Sequence, residues 1–423
     1  MSKQKKGLVP ELRFPEFEKE PNWPCVRLNA VAKKSTSKNK GEKITRVLTN
    51  SAVDGVVDQR DYFEKDIAVK GNLESYYVVD KGDYVYNPRI SSTAPVGPIS
   101  KNKVGKGVMS PLYTVFRFNS KKNDFFEQFF KSSKWYAYLQ TVSNSGARHD
   151  RMSITSSDFM AMPVPNPCEL EQQKISDCLA SIDELITLHT QKLSALRDHK
   201  KGLTEKLFPA EGEAVPKLRF PGFIDNWIPK TGREITSKIT KGSSPSWQGF
   251  SYQKYGVLFI TSENVRDGHL DVTCPKYLPE DFYNKQKNSQ LQYGDILINI
   301  VGASIGRNCL YLCHDKAFTN QAVALFRVDK RNSSEFISYA YQHDRIQSEI
   351  LGCQSDSARP NLSLTNLRDM VFLIPSLPEQ EKIANFLSTI DSCINSQAER
   401  VEALRLYKNG LVQKLFPVMD DAV

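Results

Sequence analysis

From residue 171 to 209, apolar side chains fall at Ile175, Leu179, Ile182, Ile186, Leu193, Leu196, Leu203 and Leu207, in steps that alternate four and three once the polar positions His189 and Lys200 are counted. The series returns as Ile383, Leu387, Ile390, Ile394, Val401, Leu404, Leu411 and Leu415. A seam with a mean step of about 3.5 residues predicts a long helix paired with another long helix. At about 38 residues such a helix is about 57 Å long and projects from an ordinary domain. Polar residues interrupt both seams at matched positions, His189 with Gln397 and Lys200 with Lys408. There they can fix register at some cost in stability. His189 and His199 read as solvated or seam residues.

The two seams belong to one duplication. Residues 171–209, EQQKI to TEKLFP, align without a gap to 379–417, EQEKI to VQKLFP, and about 18 of 39 positions are identical. The phrase VPELRFPEF at 9–17 likewise returns as VPKLRFPGF at 215–223. Between these repeats lie two less similar stretches that match in outline. KGDYVYN (81–87) parallels YGDILIN (293–299), VFRF (115–118) parallels LFRV (325–328), and MSITSSDFMAMPVP (152–165) parallels LSLTNLRDMVFLIP (362–375). Short runs of Val, Ile, Tyr and Phe punctuated by Gly, Pro, Asn and Asp predict strand-rich folds. Single helices are expected over 124–142 and 333–352.

The expected architecture is therefore α+β. Two similar strand-rich domains are separated by two long antiparallel coiled-coil helices, as a pseudo-twofold internal repeat. The expected boundaries are 1–23 (connector), 24–166 (first domain), 167–209 (central helix), 210–227 (connector), 228–376 (second domain), 377–417 (C-terminal helix) and 418–423 (tail). The pseudo-symmetry places Val9–Phe17 near the end of the second helix at Phe416, so that the chain closes towards a ring.

Composition changes this picture little. The chain has 423 residues, 40% hydrophobic and 25% charged, which suits folded domains. No apolar run is long enough for a membrane span, no secretion signal is read, and scattered cysteines indicate free thiols in the cytoplasm. The Cys309, Cys313 and His314 spacing is not that of a zinc pair, so no metal site is expected. A net charge of +9 permits a polyanionic partner without specifying one.

Catalytic constellations are not recognisable. YNPRI (86–90) lacks the second proline and the aromatic residue of an amino-methyltransferase motif. VGKGV (104–108) and VGASIG (301–306) fit neither the dinucleotide nor the P-loop pattern. The expectation is a chain with no catalytic residues and no cofactor. Its loops do carry groups suited to DNA: Arg89, Ser91, Ser92, Thr93, Arg148, His149 and Arg151 in the first domain. The second offers Lys241, Ser243, Arg307, Asn320, Gln321, Arg359 and Asn361. Arginine grips guanine bidentately, Asn and Gln grip adenine, and Lys and Ser favour phosphates. The same residue types also cap turns or stay solvated.

The order of variable module, EQQKI…KLFP helix, second variable module and EQEKI…KLFP helix resembles the specificity (S) subunit of type I restriction-modification enzymes. The phrases Leu12–Trp23 and Leu218–Trp227 look like the lead-in to each target recognition domain of that family. The resemblance spans essentially the whole chain. It implies a double-stranded DNA partner, each domain reading one half of a split, asymmetric site. It also implies that the helices set the spacing and dock two methyltransferase (M) subunits, through seam residues Ile175, Leu179, Ile182, Ile186, Leu196, Ile383, Leu387, Ile390, Ile394 and Leu404. S-adenosylmethionine for adenine methylation, and ATP and Mg for motor-nuclease (R) subunits, would reside on those partners. Two alternatives stay open: a self-contained modification methyltransferase or nuclease with unrecognised motifs, and a coiled-coil scaffold unrelated to DNA.

Overall fold

The computed structural model describes residues 7–63, 72–143, 150–352 and 361–419. The chain forms two compact units, residues 1–190 with 399–423 and residues 191–398. Each long helix, Glu169–Leu207 and Leu377–Leu415, gives one half to each unit.

Within the first unit a four-stranded antiparallel sheet has the order Ala32–Lys34, Thr114–Phe118, Tyr84–Tyr86, Ile99–Lys101. The second unit repeats it as Thr236–Lys241, Val323–Val328, Asp295–Asn299, Asn308–Tyr311. The repeated Gly-Asp pair explains why. Gly82 and Gly294 take φ of 94° and 86°, a left-handed turn open to glycine at little cost. The next residue, Asp83 or Asp295, buries its carboxylate. It accepts the N–H of Asp80 at 2.9 Å or of Gln292 at 2.7 Å, and then a two-toothed ion pair from Arg117 or Arg327 on the neighbouring strand. Such charge-assisted forks fix geometry as well as energy. The last residue of the motif looks outward from this sheet: Asn87 donates to the Asn50 carbonyl, and Asn299 to that of Ser262, both at 2.9 Å.

Those asparagines tie in a second layer, and here the units differ. The first has two antiparallel pairs, the hairpin Leu48–Ser51 with Gly55–Asp58 and the more distant Tyr77–Val79 with Gly107–Met109. In the second, Val257–Ile260 pairs antiparallel with Tyr277–Leu278 and parallel with Ala317–Thr319. Each unit also has a two-stranded antiparallel ribbon, Cys25–Arg27 with Pro163–Pro165 or Ile228–Thr231 with Val371–Ile374.

The expected single helices are each broken. Residues 124–142 form Asp124–Phe130 and Tyr136–Val142. Ser132 Oγ donates to the Phe129 carbonyl at 2.6 Å and Trp135 Nε1 to the Phe130 carbonyl at 3.2 Å, side chains claiming acceptors a continuing helix would use. Residues 334–352 break at His343, which is extended (ψ 142°), while Gln347 Nε2 takes the Tyr341 carbonyl.

The repeated nonapeptide is a double clasp on the long helices. Leu12 N–H donates to the Lys414 carbonyl at 3.0 Å, and Arg13 forks onto Glu171 at 2.7 and 2.8 Å. In the second unit Leu218 N–H donates to Lys206 at 2.8 Å and Arg219 forks onto Glu379 at 2.7 and 2.8 Å. Adjacent residues thus hold the start of one helix against the end of the other. Further along, Lys408 meets Asp183 at 2.5 Å in the first unit, and Lys200 meets Asp391 at 2.6 Å in the second. As one helix advances from 171 to 183 its partner retreats from 414 to 408, so the segments in each unit run antiparallel. The interrupting lysines of the seam are therefore ion-paired. Burial works against both Asp183 and Lys408. The Lys408 hydrogen bond and the Lys131 charge still hold the Asp183 carboxyl below the ordinary aspartate range, whereas burial pulls the Lys408 ammonium below its usual value.

The seam residues divide by depth. Ile175, Leu179, Ile182, Ile383, Leu387 and Ile394 are buried, whereas Ile186, Leu196, Ile390 and Leu404 are half-buried. The LFP that ends each helix belongs to the cores: Phe416 packs on Phe125 and Phe129 with ring centroids 5.3 and 5.6 Å away. Phe208 packs on Trp227 and Phe336 at 6.0 and 5.2 Å. Pairs of this kind contribute about 0.5–1.5 kcal/mol beyond their buried area.

Candidate nucleic-acid interface

Loop residues far apart in sequence are joined by single backbone bridges at one edge of each unit. In the first, Arg89 and Arg151 form an antiparallel bridge, flanked by Ile90 N–H to the Asp150 carbonyl at 3.1 Å and Met152 N–H to the Pro88 carbonyl at 2.9 Å. This brings together Arg89, Ser91, Ser92, Thr93 and Arg151. The first four are exposed and Arg151 is half-buried. Gly97 holds the loop tight, because a Cβ there would sit 2.0 Å from the Asn87 carbonyl oxygen. Ser91 Oγ caps the turn by accepting the Ala94 N–H and lies 3.1 Å from the Thr93 hydroxyl. Arg151 Nε is buried 3.5 Å from the Asp150 carboxylate. The Arg89 guanidinium is exposed and has no hydrogen bond or ion pair among the described residues. Arg148 and His149 lie outside the described residues.

The second unit uses the equivalent bridge, Val301 with Asn361. A run of backbone bonds sews four loops together beside it. Gly242 N–H donates to the Asn320 carbonyl at 3.1 Å, Ile300 N–H to Ala322 at 3.0 Å, and Leu362 N–H to Ile300 at 2.9 Å. Lys241, Asn320, Gln321 and Asn361 are thereby gathered. Arg307 joins through the adjacent turn, where Gly306 N–H donates to the Asn299 carbonyl and Asn299 N–H to the Arg307 carbonyl. Its guanidinium lies 3.6 Å from Asp267. Asn320 spends its side-chain oxygen on the Ala322 N–H. Ser243 is committed to the loop itself: its hydroxyl donates to Gln286 at 2.8 Å and accepts from Gln248 at 2.9 Å. Arg359 lies outside the described residues.

The structure exposes two further groups missed in the sequence. Lys33, Lys40 and Lys43 of the first unit are exposed, the signal for them being the run KKSTSKNKGEK. The corresponding segment of the second unit instead exposes Trp247 and Tyr255, 91% and 83% accessible. Cys309 is buried on a strand and burial pushes its thiol up to about 12, while Cys313 is exposed. No group of metal-ligating side chains occurs among the described residues. No helix among them is long and apolar enough to cross a membrane.

Comparison with known proteins shows what the chain resembles. Residues 233–405 match the type I restriction modification DNA specificity domain. The chain is 23% identical over 326 residues, 73% of each protein, to the MjaVIII type I restriction enzyme specificity subunit of Methanocaldococcus jannaschii. The second half of the chain thus matches the type I specificity domain, and the chain is similar to type I specificity subunits. It is also 24% identical over 165 residues to the EcoBI specificity subunit of Escherichia coli, covering 38% of this chain and 34% of that one. Among solved structures, the fold of the type I S subunit from M. genitalium matches with a TM-score of 0.54 at 14% identity, over 97% of this chain and 99% of that one. A chain described in work on complex assembly and conformational transition of the type I R-M system matches at 0.60 and 17%, over 94% and 98%. The matched domain and the specificity subunits it resembles are DNA-recognition components rather than catalysts.

Proposed function

We propose that residues 24–166 and 228–376 each read one half of a bipartite, asymmetric site in double-stranded DNA. The segments 167–209 and 377–417 set the distance between the halves and dock two adenine-N6 methyltransferase subunits, and a motor-nuclease subunit joins for restriction. The observation that carries this is one scaffold present twice with unlike loops. Identical sheets and helix clasps give two equivalent platforms, and different polar side chains at equivalent edges give two different readings.

Arg89, Ser91, Ser92, Thr93 and Arg151 address one half-site, and Lys241, Arg307, Asn320, Gln321 and Asn361 the other. Arg148, His149 and Arg359 are proposed from sequence alone, and Ser243 would act by bracing its loop. S-adenosylmethionine, ATP and Mg reside on the partner chains.

Methylation mapping of a host carrying this chain with its methyltransferase subunit should show one split motif. Replacement of residues 24–166 should change one half of it. Methyl transfer by the isolated chain would refute the reading. Inserting seven residues after Ala195 lengthens the first helix by about 10.5 Å, near three base pairs of rise. The gap between the methylated halves should grow while both halves persist, and an unchanged gap would exclude the helix as the ruler.

A further inference from the structure

The segment after the first strand of the four-stranded sheet occupies the same topological place in both units, yet the two are armed with opposite chemistry. In the first unit it follows Ala32–Lys34, a strand on which Lys33 is itself exposed, and carries Lys40 and Lys43; all three lysines are exposed and without an ion pair among the described residues. In the second it follows Thr236–Lys241 and carries Trp247, Tyr252 and Tyr255, all exposed.

Trp247 is the most exposed large hydrophobic side chain of those described, at 91%, and its ring stacks on no other aromatic ring among them. The turn that presents it is rigidly built. Pro245 precedes the short 3-10 turn Ser246–Gln248, Gly249 closes it at φ 76°, and Phe250 N–H returns to the Pro245 carbonyl at 3.0 Å. Ser243, Gln248 and Gln286 brace its base with three mutual hydrogen bonds, and Phe250 anchors it against Phe282 with ring centroids 4.8 Å apart. The turn begins where Gly242 is pressed on the Asn320 loop, since a Cβ there would lie 1.6 Å from the Thr319 carbonyl oxygen. It therefore starts at the edge that gathers Lys241, Asn320 and Gln321. A braced turn that holds an indole in water beside polar readers is suited to a flat, apolar surface, which in DNA is the face of an unstacked base.

We infer that the second unit grips its half-site by stacking Trp247, supported by Tyr255, on a base or base step, whereas the equivalent strand and following segment of the first unit grip phosphates through Lys33, Lys40 and Lys43. This rests on the DNA-recognition reading above and divides its two halves by chemistry. Stacked contacts release no counterions, so the two grips respond differently to salt.

The test uses the complex of the full chain with its methyltransferase subunit and a duplex carrying the mapped motif. 2-Aminopurine replaces in turn each adenine of the half-site assigned by exchanging 228–376. Trp247→Ala is expected to weaken binding about five- to a hundredfold, the range of one lost base stack, with Trp247→Phe retaining part of it. The slope of log K against log salt should stay unchanged, and a 2-aminopurine signal present in the wild type should be lost. Joint replacement of Lys33, Lys40 and Lys43 by alanine should flatten that slope by about 2.7, at about 0.9 per phosphate contact. Wild-type affinity and fluorescence in Trp247→Ala would overturn the inference. So would normal DNA affinity with loss of the methyltransferase subunit on co-purification, which would make the ring a protein contact. A wild-type complex without any site preference would instead remove the recognition reading itself.

Discussion

The two units share a skeleton down to individual hydrogen bonds at the helix clasp, the Gly-Asp turn and the four-stranded sheet, and diverge in the outer strands and loops. The clasp and sheet satisfy demands internal to the chain, pairing two helices and burying a carboxylate, and those demands are the same in both halves. The outer layer carries exposed loops, and nothing internal obliges Lys40 and Trp247 to agree. Even within the skeleton one difference stands out. Glu379 accepts both the Arg219 fork and the Trp227 indole N–H at 3.4 Å, whereas the Trp23 indole N–H is buried with no hydrogen-bond partner among the described residues. Gln380 continues the closure in the second unit by accepting the Ser333 N–H and donating to Asn332. Its repeat equivalent, Gln172, shares only the bond to the preceding proline carbonyl, Pro167 as Gln380 has Pro375, and otherwise donates to Asn166. A cavity of about 780 Å3 lined by Trp23, Arg13, Phe126 and Gln172 remains open in the first unit.

The clasp gives the largest test of this comparison. Glu171 and Glu379 are each 1% exposed, so Arg13→Ala or Arg219→Ala strands a buried carboxylate, at a cost of about 3–5 kcal/mol. Hydrogen exchange read separately over each unit should show the larger loss for Arg13→Ala, because Glu379 retains Trp227. Equal losses would show that the indole bond contributes nothing.

Next comes register. Asp183→Lys should expose amides along the paired helix segments of the first unit, and adding Lys408→Asp should restore protection. The coupling expected from a double-mutant cycle is about 0.5–3 kcal/mol, and a cycle that closes at zero would make the pair incidental.

Asp183 should also give the first unit an acid-sensitive component. Its folded pKa lies below the unfolded value of about 3.9, so its contribution is present at neutral pH and is lost as pH falls through the folded pKa. Asp183→Asn should reduce the steepness of the acid unfolding curve below about pH 4, and an unchanged curve would contradict the shift.

The smallest effect separates the two indoles. Trp→Phe removes the same volume at both sites, so the excess cost at Trp227 over Trp23 isolates one hydrogen bond, about 0.5–1.5 kcal/mol. An equal cost at both would show that the 3.4 Å contact is not a bond in solution.

Much of this was legible in sequence where a pattern is long or repeated. The heptad seams run through helices of 39 residues each, and a period sustained that far admits few alternatives. The Gly-Asp strands and the nonapeptide were visible as repeats before any contact was known. Short-range breaks were hidden: the interruption after Phe130 depends on where Ser132 and Trp135 send their donors, and that at His343 on Gln347. The candidate interface was legible as residue types and opaque as a surface. Arg89 and Arg151, or Val301 and Asn361, meet through bridges that local propensity does not encode, and Trp247 lay unmarked in a Ser- and Gln-rich loop.

The sequence alone determined that the protein is a duplication, that its paired helices are long, and that its divergence is greatest between the repeats. Identity at equivalent positions records a shared internal constraint without coordinates. Only the tertiary structure decided what the constraint is. Arg13 and Arg219 each bridge to the start of one helix while the preceding leucine binds the end of the other. The partners of that clasp are distant in sequence, and their meeting follows from burial and hydrogen-bond satisfaction across the fold rather than from any local period.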